Sequence, residues 1–244
     1  MEIREHPDLD KLRRDLVVAN RILAHQGVVD GFGHVSVRHP NYPDRFLLSR
    51  SRSPELVTLD DIKEFDLAGE MIAPDGSSAY LERFIHAAIY ELRPDLKGCV
   101  HSHAEALLPF GITSVPLKPV FHNASRIGKK VPVWDICDSF GDTDMLVVNM
   151  DHGRDLAQTL GDNRLVLMRG HGLTVATESL YTAVTTAIYA VVNARVQTAA
   201  MQMGEVKFLS EGEIEAAMGK AKASTIGHER IWEYLSRRAG CEEL

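Results

Sequence analysis

The chain has 244 residues, 45% of them hydrophobic and 25% charged, and a formal charge of −7. That length supports a substantial core, and we read residues 1–244 as one domain. A net acidic chain with no basic block is a poor partner for nucleic acid or an anionic membrane, and no run of about 18 uninterrupted apolar residues offers a membrane span. The start, "MEIREHPDLDKLRR", has no apolar core. Cys99, Cys137 and Cys241 are scattered, odd in number and outside any CxxC pair. A reducing cytoplasm is therefore the expected location.

In chain order, Leu9, Leu12, Leu16, Val17, Ile22 and Leu23 keep mostly helical spacing up to Gly27. "GHVSVRHP" alternates as a strand, and "RFLLSR" supplies a second. Residues 53–76 predict a short helical turn and then a hairpin turned at Ala68 and Gly69. "SSAYLERFIHAAIYELRPD" opens on a cap-like serine pair. It carries Leu81, Phe84, Ile85, Ala88, Ile89 and Leu92 as the apolar face of a helix that stops before Pro94. Residues 97–101 read as a buried strand, 104–111 as a short helix, "KKVPVWDI" as a strand and "HGRDLAQTLGD" as a helix. "RLVLMRGHGLTVA" gives two strands joined by a glycine-flanked turn. A long helix runs from Glu178 to about Met203, and two more occupy the last stretch. Helices alternating with short-turn strand pairs predict an α/β fold with a mixed sheet. Neither GxGxxG nor GxxxxGK[ST] occurs, so no nucleotide fingerprint is present.

His101 and His103 close the buried strand. Side chains at i and i+2 of a strand share a face, so two imidazoles there can chelate one ion. An HxH pair is also compatible with two ordinary histidines. A catalytic site usually takes three protein ligands and leaves positions open. The third candidate is His171, in a turn where Gly170 and Gly172 allow close approach. Glu82 lies on the preceding helix, four residues from His86 on the same face. It can serve as a fourth ligand or general acid/base, or be a plain solvated glutamate. Of the other histidines, His34, His86 and His122 hold the most interest.

The helix–strand "ERFIHAAIYELRPDLKGCVHSH", the turn "LMRGHGLTVA" and the early loop "DGFGHVSVR" together resemble the class II aldolase/adducin superfamily over roughly residues 10–240. The resemblance implies a three-layer α/β/α fold with a central mixed, largely antiparallel sheet, and a homotetramer with active sites near subunit interfaces. It implies one divalent metal ion per subunit, Mn2+ or Zn2+ with Fe2+ or Co2+ as alternatives, held by His101, His103 and His171. Glu82 becomes the acid/base or a displaceable fourth ligand.

Departures from the sugar-phosphate aldolases in this superfamily bear on substrate. His34 stands at an asparagine position, "SRSRSPEL" replaces the phosphate turn, and Asn123 stands where those aldolases place a proton-donating tyrosine. The stretches "GHVSVRHP", "LSRSRSPELVTLDDI", "LPFGITSVPLKPVFH" and "VPVWDICDSFGDTDMLV" are more similar to the decarboxylase branch, which includes dihydroxyphthalate and hydroxymethylpyridine-dicarboxylate decarboxylases. The expectation is a non-oxidative decarboxylase of a small hydroxylated aromatic dicarboxylate, most simply 3,4-dihydroxyphthalate. It would pass through a metal-chelated phenolate or dienone. Glu82 or His34 would supply the proton. Arg50 or Arg52, with Ser49, Ser51 or Ser77, would bind a carboxylate. His122, Asn123 and Tyr234 would contact the substrate, Tyr234 from a neighbouring subunit. The alternatives are an aldolase or epimerase on a hydroxy-carbonyl or sugar phosphate, and a non-catalytic module like the adducin head.

Overall fold

The computed structural model describes residues 7–223 and 226–242. Helix α1 (Pro7–His25) leads into strands β1 (His34–Arg38), β2 (Arg45–Ser49) and β3 (Ile62–Asp66), then α2 (Arg83–Leu92) and β4 (Gly98–Ser102). After α3 (Leu108–Ile112) and a 3-10 turn, His122–Ile127, come β5 (Val133–Trp134), α4 (Ile136–Phe140) and α5 (Met150–Leu160). Strands β6 (Leu165–Met168) and β7 (Gly172–Thr177) precede α6 (Leu180–Met203), α7 (Glu211–Ala223) and α8 (Ile226–Arg238).

The strands form one seven-stranded sheet in the order β3-β2-β1-β4-β7-β6-β5. Every pairing is antiparallel except β5 with β6. The expected α/β, mostly antiparallel arrangement is therefore present. Period-two alternation separates two apolar layers. Val35, Val37, Val100, Leu173 and Val175 join Leu16, Ile22, Val184 and Leu235 of α1, α6 and α8 on one side. Cys99, Val166, Met168 and Ala176 join Ile85, Ile89, Leu156 and Ile136 of α2, α5 and α4 on the other. His34, Ser36 and His101 share the parity of the second group, so the sheet itself aims them at α2. Among the described residues, no helix is long and apolar enough to cross a membrane.

Four local expectations need correction. The hairpin at Ala68 and Gly69 turns, but its second arm makes only one bridge, Phe65 with Met71. The strand in "KKVPVWDI" shrinks to two residues, because Pro132 has no N–H to extend the ladder and Ile136 already begins a helix. The 104–111 helix divides into a 3-10 turn, Glu105–Leu107, and α3. The Ser77–Ser78 pair does not cap α2, which begins at Arg83 with Glu82 in the cap position. Ser77 Oγ instead donates to Asp75 Oδ1 at 2.6 Å, and Asp75 is fixed in turn by Lys63 at 2.7 Å.

Candidate active site

Glu82, His101, His103 and His171 offer ligand atoms that all lie within 4.8 Å of one another. His101 ends β4, and His103 follows two residues on. His171 occupies the β6–β7 turn, which needs both of its glycines. Gly170 sits at φ +66°, and a Cβ on Gly172 would meet the Ser102 carbonyl oxygen at 2.0 Å. That close approach sets His171 beside the end of β4. Nε2 of His103 is 3.0 Å from Nε2 of both His101 and His171. Glu82 Oε2 is 3.4, 3.8 and 3.5 Å from Nε2 of His101, His103 and His171.

The outer contacts orient these groups. His101 Nδ1–H donates to Leu173 O at 3.1 Å, and His171 Nδ1–H to Met145 O at 3.0 Å. Both bonds leave a lone pair on the inward Nε2, as metal-binding imidazole requires. Lone pairs converging this closely repel one another unless a cation lies between them. Ligands around one tetrahedral ion are separated by about 3.3 Å, so the donor set fits one divalent ion. Val147 N–H donates to Glu82 Oε1 at 3.0 Å, and the N-terminus of α2 favours the negative charge. Burial works to raise the Glu82 carboxyl, but the imidazoles of His101, His103 and His171 around it outweigh burial and hold it well below the usual carboxylate range. Burial pushes His101 down to about 4, against the pull of Glu82.

A cleft of about 390 Å³ opens on this cluster, bordered by His34, Glu82 and His103. Phe32, Leu81 and Leu146 give it apolar sides, and Ser51, Arg52 and Tyr80 a polar margin. The β1–β4 register places His34 directly across from His101, with ring centroids 5.1 Å apart. Burial, with the neighbouring His86 and His101, lowers His34 well below its ordinary value.

The remaining sequence candidates are distributed as follows. Arg50 Nε and Arg52 Nη1 each hold one oxygen of the buried Asp61 carboxylate, at 2.6 and 2.7 Å. Burial opposes ionisation of Asp61, but Thr58 and the two arginines outweigh it and keep its carboxyl well below the usual range. Arg52 lines the cleft and Arg50 does not. Ser49 is buried beneath the cleft margin, 3.1 Å from the Tyr80 hydroxyl, which also donates to Arg52 O. Ser77 stays with Asp75, outside the cleft. His122, Asn123 and Tyr234 are not at the histidine cluster. They line a separate groove of about 720 Å³ with Arg126, Tyr189 and His228. Sequence reasoning missed Met145 and Val147, which act through backbone atoms that no residue type signals. It also missed Tyr80, whose ring lies 4.6 Å from that of His34.

The pattern of the Class II Aldolase and Adducin N-terminal domain matches residues 14–198. Decarboxylase tropJ of Talaromyces stipitatus is 32% identical over 243 residues, covering 90% of this chain and 91% of that protein. A 3,4-dihydroxyphthalate decarboxylase of Arthrobacter keyseri is 31% identical over 191 residues, 72% of this chain and 73% of that one. Among solved structures, an L-fuculose 1-phosphate aldolase from Glaciozyma antarctica PI12 superposes with a TM-score of 0.80 at 21% identity, covering 98% of this chain and 94% of that one. The chain belongs to the class II aldolase and adducin family, within which it groups with the decarboxylases.

Proposed function

We propose that the protein is a metal-dependent carboxy-lyase that removes CO2 from a hydroxylated aromatic dicarboxylate, with 3,4-dihydroxyphthalate as the first substrate to test. The carrying observation is the convergence of three Nε2 lone pairs and Glu82 Oε2 beside an apolar-sided cleft. The similarity to decarboxylases over most of the chain supports it. His101, His103 and His171 would hold the ion, with Glu82 as displaceable fourth ligand. When bound, a divalent ion supplies Lewis acidity for the electrons left on carbon when the carboxylate departs.

The chain's own groups account for the rest. Phe32, Leu81 and Leu146 offer apolar contact to an aromatic ring. Arg52 keeps a second guanidinium nitrogen for a substrate carboxylate while Asp61 fixes its Nη1, and Ser51 stands beside it. Arg50 then serves to hold Asp61. The C–C bond pair stays on the ring carbon as CO2 leaves, and that carbon must take up one proton. Glu82 and His34, which both border the cleft, would deliver it. We extend the proposal to a homotetramer in which the groove of His122, Asn123 and Tyr234 meets a neighbour's cleft. Its support is that Tyr234, far along the chain from the adjacent His122 and Asn123, shares one surface with them.

Protein loaded with Mn2+ or Zn2+ should release CO2 from 3,4-dihydroxyphthalate or a related hydroxylated dicarboxylate, and should leave L-fuculose 1-phosphate uncleaved. Aldol cleavage without CO2 release would replace this reading with the aldolase. Failure to bind any divalent ion would replace it with the non-catalytic module.

A further inference from the structure

His34 is not held alone. Its Nδ1 is 2.6 Å from His86 Nε2, and His86 Nδ1 is 2.6 Å from Ser36 Oγ. Ser36 Oγ is 2.9 Å from the Tyr90 hydroxyl, which lies 3.4 Å from Lys97 O. His86, Ser36 and Tyr90 are all fully buried. Each link follows from the fold. Ser36 and His34 are two apart on β1 and share a face, while His86 and Tyr90 are four apart on α2 and share a stripe. The packing of α2 on the sheet brings the two pairs together.

A buried imidazole must satisfy both ring nitrogens, and His86 does so with one partner on each side. His34 differs, because its Nε2 makes no hydrogen bond among the described residues while the ring borders the cleft. With Nδ1 tied to His86, Nε2 is the atom turned toward a substrate. The geometry points to His86 as the positioning residue for His34: it clamps Nδ1 so that Nε2 faces the reacting carbon. This rests on the decarboxylase reading for its kinetic consequence, but not for its structural one.

The test uses side chains that keep one half of the clamp each. A glutamine amide reaches the place of Nε2, and an asparagine amide the place of Nδ1. In the metal-loaded enzyme, His86→Gln should keep kcat within about three-fold of wild type. His86→Asn should lose about ten-fold or more with KM and metal content unchanged, as general acid–base contributions of 10²–10⁴ allow. Crystal structures should show the His34 ring unchanged in His86→Gln and turned in His86→Asn. Equal kcat in the two variants, or a His34 ring that stays in place in His86→Asn, would overturn the proposal. If wild type releases no CO2 from any substrate, the functional reading fails, and the ring orientation in the two crystal structures still decides the clamp.

Discussion

Glu82 holds Val147 N–H with Oε1 at 3.0 Å and turns Oε2 toward His101 at 3.4 Å. One carboxylate thus fixes the loop after α4 and faces the candidate ion site. Glu82→Gln keeps an acceptor for Val147 and removes the charge. We expect it to stay folded, to bind Mn2+ or Zn2+ more weakly by calorimetric titration, and to lose about 100-fold or more in kcat. In wild type, the ion at a hundred times its Kd should add about 2.7 kcal/mol of stability, and chelation should remove it. An unchanged melting curve on chelation would count against the site.

Met145 is the non-glycine residue at positive φ among the described residues, at 66°, and its carbonyl accepts the His171 Nδ1–H. Left-handed backbone in a side-chain-bearing residue costs about 1–2 kcal/mol. A β-branched side chain tolerates this backbone less well than methionine, so Met145→Val should lower stability further in urea unfolding and loosen metal binding through His171. Met145→Gly should leave stability nearly unchanged, since relieved strain offsets added unfolded-state entropy.

Two side-chain amides of α6 act as a strand edge for residues 116–120. Asn193 accepts from Val120 N–H and donates to Lys118 O, while Gln197 accepts from Lys118 N–H and donates to Pro116 O. Asn193→Ala strands two part-buried backbone groups, at a cost of about 2 kcal/mol. The same change should speed amide hydrogen exchange in the His122–Ile127 turn that follows. Unchanged protection there would show that the turn is held by other contacts.

Burial, aided by His101 and opposed by Glu82, holds His86 at about 3. Its unfolded value is about 6.5. As pH falls below that, the unfolded chain takes up a proton that the folded chain refuses, so stability is lost progressively down to about pH 3. His86→Gln lacks this titration. For metal-free protein, the stability gap between wild type and variant should narrow by about 3 kcal/mol between pH 7 and pH 4. A gap constant over that range would mean that His86 takes up its proton in the folded state.

The sequence by itself offered the donors of the candidate ion site. "HSH" at a strand end and a histidine between glycines were legible because i,i+2 parity and tight turns are local properties of the backbone, and the resemblance to the class II aldolase family joined them with Glu82 into one set. Alternation and helical spacing likewise determined the element order and the mixed sheet. Only the tertiary structure decided which groups complete the site. Nothing local to Arg50 or Arg52 reveals that Asp61 occupies both of them, since that pairing depends on how the chain returns to the end of β2. Nothing in "GHVS" reveals that His34 lies across from His101 and is tied to His86, because strand register and helix-on-sheet packing are set by burial over the whole core. The Met145 carbonyl and Val147 amide belong to the peptide backbone that every residue shares, and only folding distinguishes them.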